Sequence, residues 1–203
     1  TIRPRLTAAG ADLSEVRILD SVNGKPFTFH DGMEGLEQEI QQAGNVRLVV
    51  IDPVSAYCGR TDTHKEAQMR AMLLPLTSLA SKWNIAVVLV AHLNKSAKLE
   101  ALHRVNGSGA LVNAARSAHL IAKDPSDPDK RVFVPLKNNL AKDISGYSFE
   151  IEECMIGDDI TTSRVAFHDE IEYRSANEIL SVDESKRGHR RREAMQFIAK
   201  MLE

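Results

Sequence analysis

Two short apolar runs frame the first half of the chain, RLVVIDP over residues 47–53 and IAVVLVAH over residues 85–92. Neither alternates with polar residues, so both faces of each are expected to be buried, as in the central strands of a parallel sheet. Between them, Met69, Met72, Leu73, Leu76, Leu79, Ala80 and Trp83 recur at three- and four-residue steps, the pattern of a long helix with one apolar face. Thr63 and Glu66 have capping-box spacing at its start, and Pro75 is a point where it can bend. Upstream, Asp31 and Glu34 repeat the capping-box spacing before a helix carrying Met33, Leu36, Ile40 and Ala43, which Gly44-Asn45 ends. Residues 17–20 (RILD) are a candidate strand, followed by a turn at Asn23-Gly24.

After the second run, a polar loop leads to Asn106-Gly107-Ser108-Gly109, a short helix over 110–115 and a strand over 118–122. Strand, helix and strand in this order predict a parallel sheet covered by helices. Beyond Asp129 the runs become shorter, over 131–137, 147–153 and 163–169, and suit antiparallel strands added to one edge of that sheet. The expected fold is therefore α/β, with a core over 1–169 and a polar linker over 170–188. A helix over 189–203 has an apolar stripe of Ala194, Phe197, Ile198, Met201 and Leu202 without a partner in this segment, and is expected to begin another module.

Composition narrows the classes. The chain has 203 residues, 43% hydrophobic, enough to bury a sizeable core. No apolar run approaches the ~20 residues of a membrane span and no signal leader opens the chain, so a cytoplasmic protein is expected. Cys58 and Cys154 have neither metal-ligand spacing nor a disulfide framework. A formal net charge of -2 gives no overall attraction to nucleic acid, so any such contact must be local. Lys186 to Arg192 is one basic cluster where it could occur.

The candidate chemistry lies at strand ends. Asp52 closes the first apolar run, and a carboxylate at the carboxyl end of a parallel strand faces the crevice where open α/β sheets bind ligands. There it can hold a Mg²⁺-bound water, although a carboxylate capping the following turn has the same pattern. His92 closes the second run. Adjacent parallel strands would bring both to one rim, as a site or as a rim carboxylate and a satisfied histidine.

Taken together, RLVVIDPVSAY, the following helix, AVVLVAHLNKS, NGSGALVNAARSAHLI and VPLKNN resemble the RecA-like P-loop ATPases of phages and plasmids related to the hexameric helicase RepA. The resemblance covers about residues 1–140, and it implies that the helix over 189–203 begins a C-terminal winged-helix module such as relatives often carry there. It implies that Asp52 is the Walker B acid, that His92 senses the γ-phosphate, and that Arg116 is an arginine finger offered to a neighbouring subunit. Lys137 matches a phosphate-proximal position, but Asn139 stands where relatives have a second cation; an exposed lysine is the alternative. Lys95, Lys98, His103 and Arg104 fall where such rings line a channel for single-stranded DNA, or in a plain solvated loop.

The resemblance further implies ATP and Mg²⁺ as ligands of the intact parent, a homo-oligomeric, hexameric ring, and single-stranded DNA as a partner. One part of the family pattern is absent. No Gly-x-x-x-x-Gly-Lys-Ser/Thr string occurs in the 203 residues. In the family that string and the carboxylate that activates water precede the segment resembling TIRPRLTAAGADLSEVRIL. The chain is thus expected to be the later part of a longer NTP hydrolase, inactive alone and holding no nucleotide, with an exposed sheet edge open to self-association. The alternative is a non-catalytic regulatory or assembly module on a RecA scaffold.

Overall fold

The computed structural model describes residues 2–19, 21, 22, 24, 26–62, 65–93, 110–140 and 145–181. The chain divides into two compact units, one of Arg17–Ala115 and one of Thr1–Val16 with Arg116–Glu203.

In the first unit the two apolar runs form parallel strands β1 (Leu48–Ile51) and β2 (Ala86–Leu89), paired Leu48 with Ala86 through Ile51 with Leu89. Val90 N–H donates to Ile51 O and Val54 N–H to Val90 O, so the pairing carries past Asp52. Helix α2 (Met33–Ala43) buries Leu36 and Ile40 and ends at Gly44, whose φ of 78° suits a residue without Cβ. Its start differs from the capping-box expectation: Gly32 is the N-cap, and the Asp31 carboxylate instead accepts from the Thr28 hydroxyl. Helix α3 (Glu66–Trp83) accommodates Pro75 and buries Met69, Met72, Leu73, Leu76 and Leu79, as the spacing predicts. Its start also departs from the capping-box expectation, since Lys65 is the N-cap, without a side-chain cap, and Glu66 is the first helical residue; Thr63 lies outside the described residues. Glu37 joins α2 to the end of α3, accepting from Trp83 Nε1 at 2.9 Å and pairing with Lys82 at 2.6 Å. A short helix, α4 (Ala110–Ala114), packs on α3.

Two expectations fail here. Residues 17–19 form no strand and are exposed. The β1–β2 sheet is not buried on both faces: Ile51 is 6% exposed, whereas Leu48, Val50 and Val88 are 53%, 55% and 46% exposed. A continuous apolar run records what a strand could bury, and among the described residues one face has no cover.

The second unit begins with helix α1 (Ile2–Ala8), which packs on the long hairpin of β5 (Gly146–Ile156) and β6 (Ile160–Glu172). With β3 (Ser117–Lys123) and β4 (Lys130–Asn138), these strands make an antiparallel sheet in the order β3-β4-β5-β6. It is separate from the β1–β2 sheet, which corrects the expectation of strands added to one parallel edge. The reason is local. β3 is followed by a tight turn at Asp124–Asp129, and a hairpin return enforces antiparallel pairing, whereas a parallel partner needs a long crossover. Leu120, Val132 and Val134 form the buried face, and a Cβ on Gly146 would collide with the carbonyl oxygen of Phe133.

Where the sequence suggests a polar linker over 170–188, β6 continues to Glu172 and residues 176–181 are helical. Ser175 and Glu178 form a reciprocal capping box, and Ala176, Ile179 and Leu180 are buried. The polar letters here are caps and ion pairs. The suggested helix over 189–203 lies outside the described residues.

Candidate nucleotide-binding rim

Asp52 sits one residue past the end of β1 and His92 three past the end of β2, so the parallel register carries both to the carboxyl-terminal rim of the same two strands. Both are exposed, and neither side chain has a hydrogen bond or ion pair among the described residues. An unpaired exposed carboxylate at a strand end suits holding a hydrated cation through water, a contact that needs one carboxylate rather than a cage. No group of three or more His, Cys, Asp or Glu able to hold a metal directly occurs among the described residues.

Past Asp52 the chain turns at Pro53 into a 3₁₀ turn, Val54–Tyr57, whose Val54 is buried. Cys58 donates to Val54 O, and burial pushes its thiol up, which keeps it protonated and structural. Phe29 N–H donates to Tyr57 O, Phe27 meets both Phe29 and Tyr57 edge-on, and His30 hydrogen-bonds Thr61. Residues 27–31 thus brace the segment leaving Asp52. Sequence spacing gave no sign of this, because the partners lie about thirty positions apart.

Arg116 and Lys137 belong to the other unit. Asn139 N–H donates to Arg116 O, and Lys137 pairs with Ala118 across β3 and β4, so both cations stand at one end of the antiparallel sheet. Arg116 is exposed, with no side-chain ion pair among the described residues, and Lys137 is half-buried. The four residues therefore come together as two pairs, each within its own unit. Lys95, Lys98, His103 and Arg104 lie outside the described residues.

The structure adds one ionic cluster that spacing did not suggest. Arg174 pairs with Asp124 at 2.6 Å and with Glu172, and Ser126 donates to Asp124. The guanidinium holds both carboxyls below their usual range, with Asp124 the further depressed. The cluster ties the β3–β4 turn to the end of β6, which is a structural task.

No helix among the described residues is long and apolar enough to cross a membrane. Comparison with curated proteins finds no match. Residues 1–98 match the family model of an AAA domain, a segment that includes Asp52 and His92 and stops before Arg116 and Lys137, and this supports an AAA-type, P-loop ATPase-like family and an ATPase-type function in general.

Proposed function

We propose that this chain is the Walker B-bearing part of a RecA-like, ATP-driven DNA motor of the phage and plasmid helicase type. The observation that carries the reading is the pairing of Asp52 and His92 at the same rim of two parallel strands, within the segment that matches an AAA domain. In this reading Asp52 orients a Mg²⁺-bound water and His92 contacts the γ-phosphate. Arg116 completes a neighbouring subunit's site in a homo-oligomeric ring. Mg²⁺, when bound with ATP, would neutralise charge on the transferring phosphoryl group. Lys137 is a further phosphate-proximal cation.

The 203 residues hold no P-loop string, so the backbone cradle for the β- and γ-phosphates must come from other sequence. The chain alone is then inactive. Steady-state ATP hydrolysis with Mg²⁺ should stay at background for this chain and rise in a protein extended by the residues encoded upstream. Substantial turnover by the 203 residues would sink the proposal.

The same missing string favours a second reading, a non-catalytic module on a RecA scaffold. Upstream coding sequence decides: a Gly-x-x-x-x-Gly-Lys-Ser/Thr string there supports the motor, and its absence supports the module.

A further inference from the structure

The antiparallel sheet has two faces of different character. One carries Leu120, Val132 and Val134, all buried. On the other, strand pairing sets two rows of side chains across all four strands. Read from β3 to β6, the first row is Ile121, Phe133, Tyr147 and Ile171, and the second is Lys123, Arg131, Phe149 and Phe167. Phe149 is buried, but Ile121, Tyr147, Phe167 and Ile171 are 63%, 49%, 63% and 50% exposed. Phe167 meets both Tyr147 and Phe149, so the open side chains join into one patch.

The first row reads nearly alike in both directions: isoleucine, ring, ring, isoleucine. A two-fold axis parallel to the strands, passing over the sheet between β4 and β5, lays β3 of one copy on β6 of another and β4 on β5. Ile121 then faces Ile171 of the second copy, and Phe133 faces Tyr147. The second row is complementary rather than alike. Its cationic end, Lys123, comes over Phe167 of the second copy, next to Asp169 and Glu170, which follow Phe167 along the β6 edge. Lys123, Asp169 and Glu170 are exposed, and none has an ion pair among the described residues. The Arg131 guanidinium is turned back onto the carbonyls of Pro128 and Asp129, which leaves Lys123 as the free cation of the row. Aligned sheets cross at about −30°, which displaces the outer strands by only about 4 Å, within a lysine's reach.

An apolar centre with charges of both signs at its margins has the anatomy of a protein interface, and the opposite signs at opposite edges fit a second copy turned by half a revolution. We infer that this face pairs with itself in a closed two-fold dimer, sheet on sheet, with Lys123 of each copy between Phe167 and the Asp169–Glu170 acids of the other. At about half exposure the four large side chains present roughly 400 Å² per copy. The margins carry the total over both copies past the roughly 1,000 Å² that a specific interface needs, so the dimer is a weak one with a micromolar dissociation constant. The pairing is distinct from a ring, in which each contact joins two different patches and the assembly grows until it closes. It uses none of Asp52, His92 or Arg116, so it stands or falls apart from the nucleotide reading.

The test is sedimentation of the full chain, without ATP or Mg²⁺, across a concentration series. Expected is a monomer–dimer equilibrium that stops at two copies. Ile121→Arg and Phe167→Arg should each weaken it about a hundredfold, since the symmetry enters each change twice at about tenfold apiece. Both side chains are exposed, so circular dichroism of each variant should match the parent. The charge arrangement has its own readout. Lys123→Glu should weaken the dimer about fivefold, as for two rim pairs, and adding Asp169→Lys in the same chain should restore it. A monomer at every concentration, as a face that receives some other partner would give, overturns the proposal. So does growth past two copies, or a dimer indifferent to both arginine variants; one that instead dissolves with Val50→Arg lies on the open β1–β2 face. Failure of Asp169→Lys to rescue Lys123→Glu overturns the two-fold arrangement.

Discussion

Arg174 shows how a single side chain sets a condition on stability. Its side chain is 37% exposed, but the Asp124 and Glu172 side chains it holds are only 7% and 10% exposed. Arg174→Ala leaves two nearly buried carboxylates facing each other without a cation. Complete burial of such a pair would put the cost at about 3–5 kcal/mol, and partial solvent screening of the arginine reduces it to about 2–3 kcal/mol. Equilibrium urea unfolding should read that loss; a change under about 0.5 kcal/mol would mean that water already does the work of the cation. The pH dependence follows from the direction of the shifts. Both carboxyls titrate lower in the folded chain than unfolded, so the unfolded state takes up protons first. Their contribution is complete above the unfolded carboxyl range, near pH 4, and is lost as pH falls toward the folded values. The urea midpoint of the parent should drop progressively as pH falls below about 4.5, and that of Arg174→Ala should drop less. Parallel curves would place the acid sensitivity elsewhere. Nothing in sequence spacing marked this cluster, since Asp124 and Arg174 are fifty positions apart and charged residues near a turn have the same appearance whether solvated or paired.

Elements were more legible than contacts. The three- and four-residue recurrence that predicts α3 survives because one face of one helix is a local property of the chain. The strands on either side of Asp124–Asp129 were likewise readable. Which sheet they join was not, because pairing is decided by tertiary closure rather than by periodicity. The β1 run is the instructive case. Its four apolar residues predict burial on both faces, yet Leu48 and Val50 share an open face with Val88. Val50→Thr separates the two descriptions. A doubly buried valine given a hydroxyl with no partner would lose about 1–3 kcal/mol, whereas an exposed one should change stability by less than about 0.5 kcal/mol. Urea unfolding should give the smaller figure. The larger would show that something covers this face in solution. The rim pair was legible for the opposite reason: Asp52 and His92 each close an apolar run, and parallel register alone carries strand ends to one side.

At the scale of the whole chain, the two units differ in how they are built. Arg17–Ala115 is continuous and holds a two-stranded sheet with an open apolar face, together with α2, α3 and α4. The other unit joins Thr1–Val16 to the chain after Arg116 and closes a four-stranded antiparallel sheet under the Arg174 cluster. Two strands give little independent stability, and three or more with a buried face give considerably more. The first unit should therefore yield first to denaturant. The sequence supplies a reporter for it, because the one tryptophan, Trp83, lies at the end of α3 with its indole N–H on Glu37. Unfolding Arg17–Ala115 breaks that bond and exposes the ring, while the β-rich circular dichroism signal comes chiefly from β3 to β6. Urea titrations followed by tryptophan emission and by circular dichroism near 218 nm should give separate midpoints, emission at the lower concentration. Substitution of Arg174 by Ala should move the second transition and leave the first in place, since effects at sites without shared partners are independent. Coincident transitions in parent and variant alike would mean that the units unfold as one cooperative body. The ATPase reading would then have to place its rim on a scaffold whose stability depends equally on both halves of the chain.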